Sequence, residues 1–203
     1  MAEDVRTSGF WEGRYREGNT RWDLGAPTPS FVALLEGDAA PPPGTIAVVG
    51  CGRGHDVLYF ARHGFQATGF DFAPSAIAAG RAAAAAASLD GQARFEQTDI
   101  FDLPQRYPEA FDYVLERACF CAIDPHDRPR YVDVVRQILR PGGRLLAEFF
   151  VGGPGVEGGP PFPAESQALR HYFEPAFAVE RMDTPRLRGS RPGMDQFAIL
   201  RRL

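Results

Sequence analysis

The chain has 203 residues, a length that fits one domain able to bury a full core. Its 22 basic and 26 acidic side chains leave a net charge of −4, which offers no electrostatic footprint for a nucleic-acid backbone or an anionic membrane. Three cysteines, Cys51, Cys119 and Cys121, are an odd number in a chain too long to need staples, which argues against disulfides and for a reducing, cytoplasmic setting.

The N-terminal stretch MAEDVRTSGFWEG carries no apolar run that could act as a secretory signal or a membrane span. Pro41-Pro42-Pro43-Gly44 marks a loop between this segment and the first strand, expected over Thr45 to Val49. Further strands are expected over Gln66 to Phe70, Ala93 to Gln97, Phe111 to Leu115 and Arg144 to Phe150, each an apolar or β-branched run bounded by Gly, Pro or Asp. Helices fall between them. Asp56 to His63 and Ala76 to Ala87 are helical on propensity, and Arg128 to Leu139 places Tyr131, Val134, Val135, Ile138 and Leu139 on one apolar stripe. The alanine run Ala82 to Ala87 reads as scaffold. Pro141-Gly142-Gly143 predicts a turn leading into the fifth strand, and Gly152 to Pro163 is too rich in Gly and Pro for regular structure and reads as a functional lid. A short helix over Ala164 to Tyr172 follows, then strands near Ala176 to Arg181 and Gln196 to Arg201, expected as an antiparallel hairpin at the sheet edge. Alternating strands and helices predict an α/β fold, a Rossmann-like, mostly parallel seven-stranded sheet with helices on both faces.

The chemistry concentrates where Ala47-Val48-Val49 runs into Gly50-Cys51-Gly52-Arg53-Gly54, a strand ending in a Gly-x-Gly-x-Gly turn that opens a helix. Glycines there let a ligand approach the backbone, and N–H groups at a helix start favour a carboxylate or phosphate. Twenty-one residues after Gly50 the second strand ends in Asp71, placed to accept hydrogen bonds from ribose hydroxyls, with Phe72 beside it. This describes a nucleoside-binding unit. A nicotinamide fingerprint wants glycine three residues after Gly52, where His55 stands. After the third strand, Thr98-Asp99-Ile100 offers an acidic group beside an apolar one. Cys119 and Cys121 lack the spacing of a zinc site and read as buried thiols, and His55, His63, His126 and His171 have no partners at triad spacing. No metal is expected.

In this register Gly50, Asp71, Asp99 and Ile100 resemble the class I S-adenosylmethionine (SAM)-dependent methyltransferases, in which the last two positions hold the adenine. Three further segments narrow the resemblance: Phe10-Trp11-Glu12-Gly13-Arg14-Tyr15 through Arg21-Trp22-Asp23, then Phe120-Cys121-Ala122-Ile123-Asp124-Pro125, then Gly158-Gly159-Pro160-Pro161-Phe162. Together they look like the thiopurine, thiol and halide methyltransferase family. The resemblance implies that residues 1–40 cover the cofactor, with Trp11 and Trp22 against SAM and Tyr15 close by on the substrate side. It implies cofactor contacts at Gly50, Gly52, Asp71, Phe72, Asp99, Ile100 and Glu116, a catalytic arginine after the fourth strand at Arg117, and Phe162 in the acceptor lid of residues 152–163. A structural role for Arg117, paired with Glu116 or with the SAM carboxylate, competes with acceptor contact.

The implied reaction moves the SAM methyl group to a small-molecule acceptor and leaves S-adenosylhomocysteine. S-methylation of a small thiol leads. Glu116-Arg117 stands nearer the thiopurine branch than the Asp-Tyr pair of the plant halide and thiol enzymes, whereas Arg21-Trp22-Asp23 and Gly25-Ala26-Pro27-Thr28-Pro29 lean the other way. Halide, thiocyanate or a chalcogen oxyanion such as tellurite are the alternatives within that chemistry. A nucleic-acid or protein methyltransferase is disfavoured because Glu116-Arg117-Ala118-Cys119 replaces the Asn/Asp-Pro-Pro-aromatic clamp. A non-catalytic SAM-binding protein is the third reading. A single cytoplasmic domain, as a monomer or weak dimer, is expected.

Overall fold

A computed structural model of the chain describes residues 4–152, 159–184 and 194–203. Its strands form a seven-stranded sheet in the order β3-β2-β1-β4-β5-β7-β6, and the chain divides into two compact units, Met1–Ile100 and Phe101–Leu203.

In the first unit, helices α1 (Ser8–Arg16) and α2 (Pro29–Glu36) precede β1 (Thr45–Val49), α3 (His55–Arg62), β2 (Gln66–Asp71), α4 (Pro74–Ala86) and β3 (Ala93–Gln97). The three strands are parallel, with Val49 opposite Phe70 and Asp71 opposite Gln97. Their carboxyl ends therefore lie along one edge, which carries Gly50, Asp71 and the Thr98-Asp99-Ile100 stretch. Thr7 caps α1 by accepting the Phe10 N–H, and Pro74 opens α4 at a position where a missing N–H costs nothing. The alanine-rich α4 packs on β3 through a missing side chain: a Cβ at Gly80 would stand 2.4 Å from the Phe95 ring.

The second unit holds α5 (Leu103–Arg106), β4 (Phe111–Arg117), α6 (Arg128–Ile138), β5 (Leu139–Phe150), α7 (Ser166–Phe173), β6 (Phe177–Asp183) and β7 (Asp195–Arg202). Here β4 and β5 are parallel, while β7 runs antiparallel between β5 and β6, as the expected hairpin requires. Pro141-Gly142-Gly143 does not end the pairing, contrary to the expected turn. Phe111 faces Leu139 but Tyr113 faces Arg144, so the extra residues bulge out within β5. Gly142 takes φ +76°, and a Cβ on Gly143 would meet the Asp112 carbonyl at 3.0 Å, so glycine is what the bulge needs. The core of this unit is an aromatic cluster in which Phe120 packs against Tyr131, Phe149, Tyr172 and Phe173.

Gly80 gives a test in which two effects oppose each other. Alanine in a helix interior gains about 1 kcal/mol over glycine, but overpacking a core costs about 1–3 kcal/mol. At 2.4 Å the clash should win. Urea denaturation is expected to show Gly80→Ala less stable than wild type, and Gly80→Ala more stable than its parent once Phe95→Leu has made room.

Candidate active site

The turn after β1 owes its shape to three left-handed glycines, Gly50 at φ +60°, Gly52 at +54° and Gly54 at +83°. The Cys51 N–H extends the ladder to the Phe70 carbonyl at 2.9 Å, and Gly52 donates its N–H to Asp71 Oδ2 at 2.8 Å. The other Asp71 oxygen accepts the Ala73 N–H at 2.9 Å. Burial pushes the Asp71 carboxyl above its ordinary range, against the pull of these N–H groups. From sequence the turn's N–H groups are expected to be open to a ligand. Gly52 is not open in that sense, because the protein's own carboxylate takes its N–H. Desolvation, with the nearby Asp71 charge, pushes the Cys51 thiol well above its usual value.

Around this turn the N-terminal segment is fastened at several points. Ser8 donates its hydroxyl to the Phe72 carbonyl at 2.9 Å, and Glu12 accepts the Ser75 N–H and hydroxyl at 3.0 and 2.6 Å. Asp23 pairs with Arg53 and lies 3.1 Å from His55 Nε2, and Thr28 donates its N–H and hydroxyl to Asp56 at 2.7 and 2.8 Å. Trp22 is the hub of the rings: its centroid lies 5.6 Å from Trp11 and 5.8 Å from Tyr15, edge to face. Both tryptophans pack on a cluster of Tyr15, Ala73 and Ala76. A Cβ at Gly52 would come 3.1 Å from the Tyr15 hydroxyl, so the glycine turn and the aromatic group share one narrow space. Asp99 is half-buried, Ile100 is buried, and Gly50 is exposed.

At the end of β4, Arg117 stands in register with Glu148 of β5, its Nε 3.9 Å from Glu148 Oε1. Its Nε thus faces Glu148, and its charge also acts on the neighbouring Glu116. Glu116 has no exposed surface. Its carboxylate accepts the Phe120 N–H at 2.9 Å and the Tyr131 hydroxyl at 2.7 Å. These bonds close a turn in which Ala118 adopts φ +60°, a conformation that costs a non-glycine residue roughly 1–2 kcal/mol. Burial pushes the Glu116 carboxyl up to about 7, although Tyr131 and the Phe120 and Cys119 N–H groups pull it down. Phe162 is tied to the same turn, donating its N–H to the Cys121 carbonyl at 2.7 Å and accepting a hydrogen bond from Arg128 at its own carbonyl.

The family model of thiopurine S-methyltransferase (TPMT) matches residues 6–198. The chain belongs to that family. It is a methyltransferase, with the class I methyltransferase fold. It is 30% identical over 94% of its length to "Probable thiol methyltransferase 2" of Arabidopsis thaliana, covering 83% of that protein. It is also 31% identical over 82% of its length to "Thiocyanate methyltransferase 1" of the same plant, covering 72% of it. Among solved structures, the Burkholderia thailandensis 1,6-didemethyltoxoflavin-N1-methyltransferase with bound 1,6-didemethyltoxoflavin and S-adenosylhomocysteine has the same fold. That likeness has a TM-score of 0.76 at 20% identity and covers 96% of this chain and 86% of the other.

Within the first unit the structure groups Trp11, Tyr15, Trp22, Gly52, Asp71 and Phe72. Within the second it brings Arg117 to the end of β4 and Phe162 to the turn that follows, while Glu116 has no exposed surface. Residues 153–158 of the expected lid, including Gly158 of the quoted motif, lie outside the described residues. Sequence reasoning missed Arg128, Tyr131 and Glu148 as members of the site, and Asp23, Asp56 and Glu12 as fasteners. A charge inside the apolar run Leu145-Leu146-Ala147-Glu148-Phe149-Phe150 was the available signal for Glu148. Among the described residues no group of three His, Cys, Asp or Glu side chains could hold a metal ion, and no helix is long and apolar enough to cross a membrane.

The Glu116 carboxyl makes stability depend on pH. Its folded pKa of about 7 lies above the ordinary 4.5, so its protonated form favours the fold. That contribution is complete below 4.5 and is lost as pH rises through about 7. Glu116→Gln keeps an acceptor for Tyr131 and Phe120 but does not titrate. In urea titrations the wild type is expected to lose roughly 1–3 kcal/mol relative to this variant between about pH 5 and pH 8. A constant difference across that range would contradict the assignment.

Proposed function

We propose that the chain transfers the methyl group of SAM to the sulfur of a small thiol. The observation that carries this reading is the carboxyl edge of β1–β3, where the Gly50–Gly52 turn, the Asp71 carboxylate and the Trp11–Tyr15–Trp22 rings stand together. The fit to a nucleoside cofactor rests on a cradle: an exposed Gly50, a Gly52 whose Cβ would crowd Tyr15, and a buried carboxylate at the strand end. Asp71 would hold the ribose hydroxyls, Gly50 and Phe72 would line the cofactor, and Asp99 and Ile100 would take the edge and face of the adenine. SAM, when bound, supplies an electrophilic methyl group on a cationic sulfur. Ring faces attract such a cation when water is kept out, and that is the work assigned to Trp11 and Trp22. Glu116 is reassigned from cofactor contact to positioning of the turn.

On the acceptor side Arg117 is the catalytic residue, stabilising the acceptor while its sulfur attacks the methyl group. A thiol of ordinary pKa near 8.5 is already a few per cent thiolate at about pH 7, and a guanidinium raises that fraction by stabilising the anion. Arg117 would hold the thiolate for attack, Tyr15 and Phe162 would line the acceptor, and the apolar surroundings would strip its water. No protein nucleophile and no strong base are called for. The family's thiopurine name and the thiol relative support sulfur as the acceptor atom. The thiocyanate relative supports a soft anion as the second reading. We place the protein in a reducing cytoplasm, as a monomer or weak dimer acting as one methyltransferase domain.

Release of S-adenosylhomocysteine with a panel of alkyl thiols, aromatic thiols, thiocyanate and iodide tests this. Turnover is expected with the thiols. Arg117→Met, at saturating SAM, is expected to lose about tenfold more rate with alkyl thiols than with acidic aromatic thiols at neutral pH, with the gap narrowing as pH rises. Iodide, which does not titrate, should show no such pH dependence. A variant that loses SAM affinity and keeps the wild-type acceptor profile would overturn the role of Arg117.

A further inference from the structure

Arg128 is the first residue of α6, where a positive charge opposes the helix dipole. Its side chain is nevertheless buried, with 4% exposure. Among the described residues it forms no ion pair, and its Nε is buried without a hydrogen-bond partner. Burying a charge in this way is costly, and neither pairing nor helix capping accounts for it. Among the described residues the guanidinium instead makes two polar or cation–π contacts. It lies over the Phe120 ring, 4.7 Å from the centroid, and it donates to the carbonyl of Phe162, 34 residues further along the chain.

Phe162 sits between Pro161 and Pro163, neither of which has an N–H, so its own N–H is the sole backbone donor of that three-residue stretch. That N–H is taken by the Cys121 carbonyl, and its carbonyl is taken by Arg128. Both backbone groups of Phe162 are thus fixed to the Cys119–Ile123 turn and the start of α6. Phe120 is a firm base for the clamp, because it is 2% exposed and wedged among Tyr131, Phe149, Tyr172 and Phe173. A planar guanidinium can stack on a ring and donate from its edge at once, which a lysine ammonium cannot.

We propose that Arg128 is a positioning residue for the methyl acceptor, holding the Phe162 strap on the Phe120 platform so that the acceptor side keeps its shape. The inference rests on the reading that Phe162 lines the acceptor, and the two can fail separately.

The test is a double-mutant cycle with thiophenol as acceptor and S-adenosylhomocysteine release as readout, on Arg128→Met, Phe162→Ala and the pair. Arg128→Met is expected to raise the KM for thiophenol about five- to tenfold while the KM for SAM stays within about twofold, the split that a misplaced acceptor wall produces. Added to Phe162→Ala, it should raise the thiophenol KM by less than about twofold, because the clamp then has no ring to place. Equal effects of Arg128→Met in both backgrounds overturn the positioning role. An unchanged thiophenol KM in Phe162→Ala overturns the acceptor-side reading itself. Should Arg128→Met fail to fold, Arg128→Lys keeps the charge, loses the stacked fork and enters the same cycle with the same criteria.

Discussion

Two backbone N–H groups, from Gly52 and Ala73, converge on the carboxylate of Asp71. A buried carboxylate at the end of a strand is costly to desolvate, and hydrogen bonds to a charged group, worth about 1.5–3 kcal/mol each, make it tolerable. Those bonds join three pieces of chain: the glycine turn after β1, the end of β2 and the approach to α4. The N-terminal segment is built on the result. Ser8 reaches the Phe72 carbonyl, Glu12 takes the free groups at the start of α4, and Trp11, Tyr15 and Trp22 pack on Ala73 and Ala76.

The second unit repeats the device with a different residue. Glu116, near the end of β4, takes the N–H of Phe120 in the following turn, and Tyr131 from α6 supplies a second donor. In both strands a buried carboxylate fixes the backbone just beyond the strand, and in both burial pushes the carboxyl upward. The consequence differs, because Asp71 lies on the edge that carries the aromatic group whereas Glu116 faces inward. What Glu116 fixes is the backbone around Ala118, and so the direction in which Arg117 leaves its strand. Phe120, held by that bond, is in turn the surface on which Arg128 rests.

Much of this was legible before any coordinates. Strand Thr45–Val49 occurs as expected as an apolar run that stops at Gly50, Ala93–Gln97 as a stretch whose buried Ala93 and Phe95 alternate with the polar Arg94 and Glu96, and α6 follows its apolar stripe closely. Asp71 was legible from its spacing to Gly50. That its carboxylate already holds Gly52 was not, since a side chain's partner across 19 residues leaves no pattern in sequence. Pro141-Gly142-Gly143 reads as a turn locally, and only the pairing of β4 with β5 turns it into a bulge. Tyr131 was placed on the buried stripe, but its hydroxyl is spoken for by Glu116, a long-range pairing. Arg128 stands in the sequence only as the start of a helix. Its burial depends on Phe120 and on a strap 34 residues away.

Calorimetric titration of S-adenosylhomocysteine into wild type and Asp71→Ala bears most directly on the central role given to Asp71. With the variant shown to be folded by its circular dichroism and cooperative melting, the account predicts binding weakened by about ten- to a hundredfold, equivalent to roughly 1.5–3 kcal/mol. An affinity equal to wild type in the folded variant would contradict it.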